Sequence, residues 1–339
     1  MRERVVIIGA GQLAYYLVKN EYPDAKILSL NEPEWHDGKD SSNIRLVDIS
    51  KQSWLNEVLD DIRPDIIINT AAISSITESF CNIAKTFEVN LLGTVYLMDY
   101  LVANKDKNIK LIQCSSVEAV AARTKDLIPD YSDPNFIDYG GQFHEVVKDN
   151  QSKPTLPAHP YGVSKAVAQH LTDIYRKSYG IDVRTAILSN LESPKRSDTF
   201  LTSKVINYIK NLKIYINKNN VNGQLREAYP KLKLGNLSSR RSFLHASDGA
   251  AAIRCLVETE ESGDYVFAAL SSHSVSEFVE LAFKVADLEA YNFMYESVNE
   301  FKRDYENEWV RICSKETQKK LGWAPKYDLE DIIRSMLDE

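Results

Sequence analysis

Along the first half of the chain, short apolar runs alternate with longer stretches whose apolar residues recur every three or four positions. The short runs are Val5–Ile8, Lys26–Leu30, Ile44–Val47, Asp65–Asn69, Lys110–Cys114 and Asp182–Leu188. Between them the spacing predicts helices to about Lys19, over Lys51–Ile62, over Ile76–Ala103, and from Tyr161 to about Tyr179. Continuous apolar strands separated by helices predict a parallel sheet covered on both faces, an α/β doubly wound fold of Rossmann type.

After Asn190 the alternation breaks. A polar segment with Lys195, Arg196 and Lys204 leads to a tyrosine- and asparagine-rich piece around Tyr208–Pro230. A helix from Ser247 and a strand at Asp264–Ala268 resume the rhythm, and the tail from Ser274 reads as helical with one short strand near Tyr291–Tyr295. This pattern predicts a dinucleotide-binding domain from residues 1–189 and 240–270. Residues 190–239 and 271–339 then make a second, smaller α/β domain. Asp130–Pro157, with its Pro, Gly and Asp residues, is the longest loop-like stretch.

Composition narrows the function. At 339 residues with 44% hydrophobic and 26% charged content, the chain has the make-up of a soluble globular protein. A formal charge of −7 excludes a general nucleic-acid binder, so local arginines and helix N-termini must meet any anionic ligand. Cys81, Cys114, Cys255 and Cys313 have no metal-ligand spacing and read as buried reduced thiols; no metal is expected. The N-terminus enters a strand without a leader pattern, and no apolar run approaches a membrane span, so a cytoplasmic location is expected.

Gly9-x-Gly11-x-x-Ala14 directly follows the first strand and opens the first helix. Gly9 permits the turn, Gly11 lets a pyrophosphate approach the backbone, and Ala14 allows close helix–strand packing. The second strand ends in Asn31-Glu32, with no arginine before Arg45. An acidic residue there suits ribose hydroxyls, whereas a 2′-phosphate would call for arginine, so NAD is favoured over NADP. Asp48 is placed either to contact adenine or to cap the next helix.

Tyr161 and Lys165 are one helical turn apart, so they share a face. A lysine cation beside a phenol is expected to lower the phenol towards neutrality, where it exchanges a proton with a sugar hydroxyl. Ser116, at the end of the fifth strand, is placed to hold the same oxygen, and Glu118 two positions later is a candidate base.

Together these residues, with Asn69-Thr70-Ala71-Ala72 and Asn90, resemble the extended short-chain dehydrogenase/reductases. Further matches resemble GDP-mannose 4,6-dehydratases. They are Asn69–Ser74 with Ser79-Phe80, Gln113–Glu118, Asn190–Arg196 with Thr199-Phe200, Leu234-Gly235-Asn236, Arg241 with His245-Ala246-x-Asp248, His273–Phe278 and Leu321-Gly322-Trp323-x-Pro325. The resemblance implies a Rossmann domain for NAD or NADP and a smaller domain for a nucleotide-diphosphate sugar, GDP-linked by the closest match. It implies catalysis by Ser116, Glu118, Tyr161 and Lys165. Cofactor contacts would come from Gly9, Gly11, Gln12, Leu13, Asn31, Asp48, Ile49, Ala71, Ala72, Asn90, Tyr161 and Lys165. Substrate contacts would come from Ser74, Ser116, Glu118, Asn190, Arg196, Lys204 and Arg241.

The implied reaction oxidises C4 of the sugar, removes water across C5–C6 and returns hydride to C6, giving a 4-keto-6-deoxy sugar. A 4-epimerase, 4-dehydrogenase or decarboxylase sharing the first oxidation stays open, as does a dinucleotide-binding regulator without turnover. The family's helix pairing implies a homodimer through Ile76–Ala103 and the Tyr161 helix. This chain departs from the family in its shorter glycine loop, and in a longer interval between Ser116 and Tyr161 that includes Tyr139–His144. His245 reads as a helix-entry residue, and His159 has no assigned role.

Overall fold

The computed structural model describes residues 3–36, 41–119, 157, 159–221, 224–225, 229–269, 271–288, 295–299 and 314–338. Cys313 and nearly all of the loop-like stretch 130–157, Tyr139–His144 included, lie outside the described residues.

Six strands follow in chain order: β1 Val5–Ile8, β2 Lys26–Ser29, β3 Ile44–Leu46, β4 Ile66–Asn69, β5 Lys110–Ser116 and β6 Asp182–Leu188. With Asp264–Phe267 they form one sheet in the order Asp264–Phe267, β6, β5, β4, β1, β2, β3, every pair parallel. The chain winds outwards in both directions from β1 and β4, so the switch in strand order falls between them, where open α/β sheets bind ligands.

Burial follows from period two. Val6 and Ile8 of β1 and Ile67 of β4 pack on one face with Leu55, Leu97 and Leu101. Ile7, Ile66 and Ile68 face the other side with Leu13, Leu17, Ile253 and Phe267. Both faces are covered, which is why these strands are apolar throughout rather than alternating.

A separate core joins Val205, Ile206, Ile209 and Leu212 to Phe278, Phe283, Ile332 and Ile333. Its first element is the helix Leu201–Asn219, which runs through the segment that the sequence reads as a break in alternation. Apolar positions at helical spacing lie there among tyrosine, lysine and asparagine. The Val275–Val285 helix opens with a reciprocal capping box between Ser274 and Glu277.

Two boundaries differ from expectation. Ile76–Ala103 is not one helix: Ile76–Cys81 stops at Asn82, at φ −133° and ψ 58°, and the chain restarts at Ile83. The C-terminal strand is Tyr295–Ser297, paired with Leu232–Leu234, and residues 291–294 lie outside the described ones. Among the described residues, no helix is long and apolar enough to cross a membrane.

Candidate active site

Gly9 follows β1 at φ +109°, and a Cβ there would stand 2.5 Å from Thr70 Oγ1, so only glycine fits against β4's exit. Gly11 is exposed, and a Cβ built on it would meet nothing within 4 Å. It caps the Gln12–Tyr16 helix without a side-chain hydrogen bond. An uncapped helix start facing open space at the sheet's switch point fits a pyrophosphate. Gln12 ties this loop to the next strand edge: Nε2 donates to the Leu191 carbonyl at 2.9 Å, and Oε1 accepts from the Ser193 hydroxyl at 2.6 Å.

The other expected cofactor residues divide by what they already hold. Leu13 and Ile49 are buried in the sheet's two cores. Ala71 and Ala72, half-buried, lie beyond β4, where the Ala71 N–H donates to Asn69 Oδ1. Asn90 is engaged on both sides of its amide: Oδ1 accepts from Ile73 N–H, and Nδ2 donates to the Ile73 carbonyl and Ser164 Oγ. It thereby pins the loop after β4 to the Tyr161 helix. Asp48 accepts from the Ser50 N–H and hydroxyl and pairs with Lys85 at 3.3 Å. Asn31 is exposed, and the neighbouring Glu32 carboxylate pairs with His36 at 3.1 Å.

At the carboxyl end of β5, Ser116, Glu118, Tyr161 and Lys165 do come together. Ser116 Oγ accepts the Glu118 N–H at 3.2 Å and lies close enough to the Tyr161 phenol to favour its ionised form. Glu118 is only 6% exposed. Its Oε1 lies 4.0 Å from Arg241 Nε and its Oε2 lies 3.1 Å from His159 Nε2. His159, whose sequence context implies no role, stacks parallel to Tyr161 with ring centres 6.0 Å apart. The signal for it was a histidine at the N-cap of the helix that carries Tyr161, where short polar residues are favoured.

The lowered phenol expected of the Tyr161–Lys165 pair is corrected. Burial pushes Tyr161 up to about 12; the Ser116 hydrogen bond opposes this and the Glu118 charge adds to it. Lys165 Nζ donates to the Cys114 carbonyl at 2.8 Å, and burial brings the amine down to about 8. Desolvation dominates both shifts because Tyr161 and Lys165 are themselves buried.

The candidate substrate residues also separate. Arg240 is spent on Glu277 and the Ser272 carbonyl, leaving Arg241 as the arginine turned to Glu118. Arg196, expected to be open to a diphosphate, instead has Nε 3.0 Å from Glu192 Oε2, a hydrogen bond to the Leu191 carbonyl, and the Phe200 ring against its plane. Lys204 and Ser74 are exposed. On the Leu201–Asn219 helix it is Thr202 and Ser203 that turn inward, to Glu192 and the Arg196 carbonyl. Asn190 Oδ1 is buried with no hydrogen-bond partner among the described residues, an open acceptor just past the end of β6.

Cys81 is exposed, against the expectation of burial, because the helix carrying it stops one residue later; Cys114 is buried and Cys255 half-buried, all free thiols. His245 caps the Ala246–Glu258 helix through Ser247 N–H, as its context implied. Among the described residues, no group of three or more His, Cys, Asp or Glu side chains is set to hold a metal ion.

A family model for GDP-mannose 4,6 dehydratase matches residues 10–120 and 139–336. The chain is 28% identical over 295 residues to GDP-mannose 4,6 dehydratase 1 of Arabidopsis thaliana, covering 86% of this chain and 72% of that protein. It is 27% identical over 326 residues to the Drosophila melanogaster GDP-mannose 4,6 dehydratase, covering 90% and 73%. Among solved structures, RMD from Pseudomonas aeruginosa complexed with NADPH superposes with a TM-score of 0.72 at 20% identity, covering 99% of this chain and 98% of the other. The dTDP-glucose 4,6-dehydratase of Bacillus anthracis, in complex with NAD, gives 0.72 at 19%, covering 99% and 96%. These likenesses in structure establish the fold.

Proposed function

This chain belongs to the GDP-mannose 4,6-dehydratase family, and we propose that it is a nucleotide-sugar 4,6-dehydratase acting on a GDP-linked hexose. The observation that carries the reading is Glu118. It is a buried carboxylate beside Tyr161 and Ser116 at the sheet's carboxyl edge, a group that oxidation at C4 alone would not need.

A bound nicotinamide would supply reversible hydride storage. Tyr161 takes the C4 hydroxyl proton while Ser116 holds the same oxygen. Lys165, its ammonium fixed on the Cys114 carbonyl, sets the helix face that orients Tyr161. The resulting C4 ketone makes the C5 proton acidic, and Glu118 removes it. Glu118 then gives that proton to the C6 hydroxyl, which leaves as water; return of the hydride to C6 and of a proton to C5 would complete the 4-keto-6-deoxy sugar.

For the nucleotide, Arg241 supplies positive charge on one side of Glu118 and Asn190 an open acceptor, while Arg196 would have to turn from Glu192 to meet a diphosphate. Residues 190–239 and 271–339 then serve as the nucleotide-sugar domain, consistent with their separate core. NAD is the favoured cofactor: Arg45, the first arginine after β2, is paired with Asp61 at 3.1 Å. Solved structures of this fold hold either NADPH or NAD, so the fold leaves the choice to such local groups.

Incubation with GDP-mannose, followed by mass spectrometry of the nucleotide sugar, tests the reading. A product lighter by one water supports it, while an isomer of unchanged mass would replace it with a 4-epimerase.

A further inference from the structure

The imidazole at the start of the Pro160–Tyr179 helix is held at both nitrogens. His159 Nδ1 accepts the Gly162 N–H at 3.0 Å, and Nε2 lies 3.1 Å from Glu118 Oε2. A nitrogen that accepts from an amide carries no proton, so in the neutral ring the proton sits on Nε2 and is donated to the carboxylate. Ser, Thr, Asp and Asn cap helices better and end where the cap ends. Histidine gives up capping quality here and extends a second donor across to the turn at Val117–Ala119. A local rule broken beside a candidate base is where function is to be sought.

The surroundings narrow what the imidazole does. His159 and Glu118 are 3% and 6% exposed, so neither can rely on water for a partner. Arg241 approaches the other carboxylate oxygen, Oε1, at 4.0 Å. The Tyr161 ring lies parallel to the imidazole, and the Ser116 hydroxyl accepts the Glu118 N–H. We propose that His159 is a positioning residue for Glu118: its Nε2–H holds Oε2 and so sets where the carboxylate stands when it takes the proton. The proposal rests on the dehydratase reading above for its reaction, though not for its geometry.

The locked ring also decides where the proton goes. Nε2 already carries one, and Nδ1 could accept another only by losing the helix cap. A proton that Glu118 takes from C5 therefore does not pass to this imidazole. It passes to the C6 oxygen as the C6–O bond breaks. The C5–H electron pair becomes the C5–C6 double bond and water departs, so the step balances without a further reactant.

Two substitutions separate positioning from capping. H159N keeps a capping oxygen but ends short of Glu118, whereas H159Q places an amide N–H near the Nε2 position and gives up the cap. With GDP-mannose in deuterated water, H159N should slow C5 exchange and water loss by about 10²-fold, the cost of a misplaced catalytic group. Reduced cofactor should still form in H159N, and H159Q should recover most of the exchange. A purely structural cap predicts the reverse order, or equal loss of C4 oxidation and C5 exchange, and either result overturns the proposal.

A second measurement needs no turnover. In protein labelled with ¹⁵N-histidine, the His159 ring should show an unprotonated Nδ1 and a protonated Nε2, and the Nε2 signal should move in E118Q. A ring protonated at Nδ1, or one indifferent to E118Q, overturns the pairing whatever the substrate. Failure of GDP-mannose to react in the unmodified enzyme would count against the dehydratase reading, and the ¹⁵N result would still decide the pair.

Discussion

Glu192 Oε2 lies 3.0 Å from Arg196 Nε and accepts the Thr202 hydroxyl at 2.5 Å, with both charged side chains largely withdrawn from solvent. Burial lifts the Glu192 carboxyl to about 7, against the pull of Arg196 and Thr202. The ordinary value is 4.5, so between these two pH values the folded state binds more protons than the unfolded chain. Stability contributed by this group is present below that window and is lost as pH rises through it, by up to about 1.4 kcal/mol per pH unit. Glu192→Gln mimics the protonated carboxyl and should leave the melting temperature near that of the unmodified protein at pH 5. It should also flatten the decline from pH 5 to pH 8. Thermal melts across that range check this, and a slope equal to the unmodified protein's would assign the pH dependence elsewhere.

The cofactor released from denatured protein should be NAD or NADH by mass spectrometry. Glu32 follows β2 already paired with His36, and a 2′-phosphate placed beside that carboxylate would meet repulsion with no arginine before Arg45 to offset it. Recovery of NADP alone would mean that other groups hold the phosphate.

Self-association is expected through the segment from Ile83 to Ala103 and the Pro160–Tyr179 helix. Ile83, Leu92, Val167 and Ile174 are 52%, 40%, 39% and 40% exposed on these elements, more apolar surface than a solvated helix pair usually carries. Four helices about a two-fold axis would bury it in an isologous dimer. Light scattering should give twice the 38.5 kDa of one chain, and Val167→Glu with Ile174→Glu should shift it to monomer. A 38.5 kDa particle from the unmodified protein would rule the dimer out.

What the sequence disclosed, and what it did not, follows from the range of the forces involved. The strands were legible because two-sided burial demands unbroken apolar runs such as Ile66–Ile68. The glycine loop was legible because Gly9's backbone geometry admits no side chain. The stop at Asn82 was hidden, since apolar spacing resumes at once after it. The Leu201–Asn219 helix was hidden because tyrosine, lysine and asparagine fill the positions between its core residues. Ser116, Glu118, Tyr161 and Lys165 stand together at the end of β5, but their electrostatics depend on contacts distant in sequence. Glu118 and His159 are 41 positions apart, and nothing local to either marks the pair. The rise of Tyr161 and the fall of Lys165 likewise come from burial that only the assembled sheet provides.

The dehydratase reading stands or falls on Glu118. If it is the C5 base, Glu118→Gln should still permit C4 oxidation, because Tyr161, Ser116 and Lys165 remain. Turnover should then stall, since an amide cannot take the C5 proton, and loss of a positioned base costs about 10²–10⁴-fold in rate. Reduced nicotinamide should accumulate on mixing with GDP-mannose, with no deuterium entering C5 from solvent. Tyr161→Phe should behave differently, blocking the first step so that no reduced nicotinamide forms. The glutamine is nearly isosteric and can keep a bond to His159 Nε2–H through its carbonyl oxygen, so the fold should survive and the stall should report chemistry. Absorbance of reduced nicotinamide and mass analysis of C5 read the two variants together. Turnover and C5 exchange in Glu118→Gln equal to those of the unmodified enzyme would make Glu118 a structural carboxylate. The site would then be one that oxidises C4 without eliminating water.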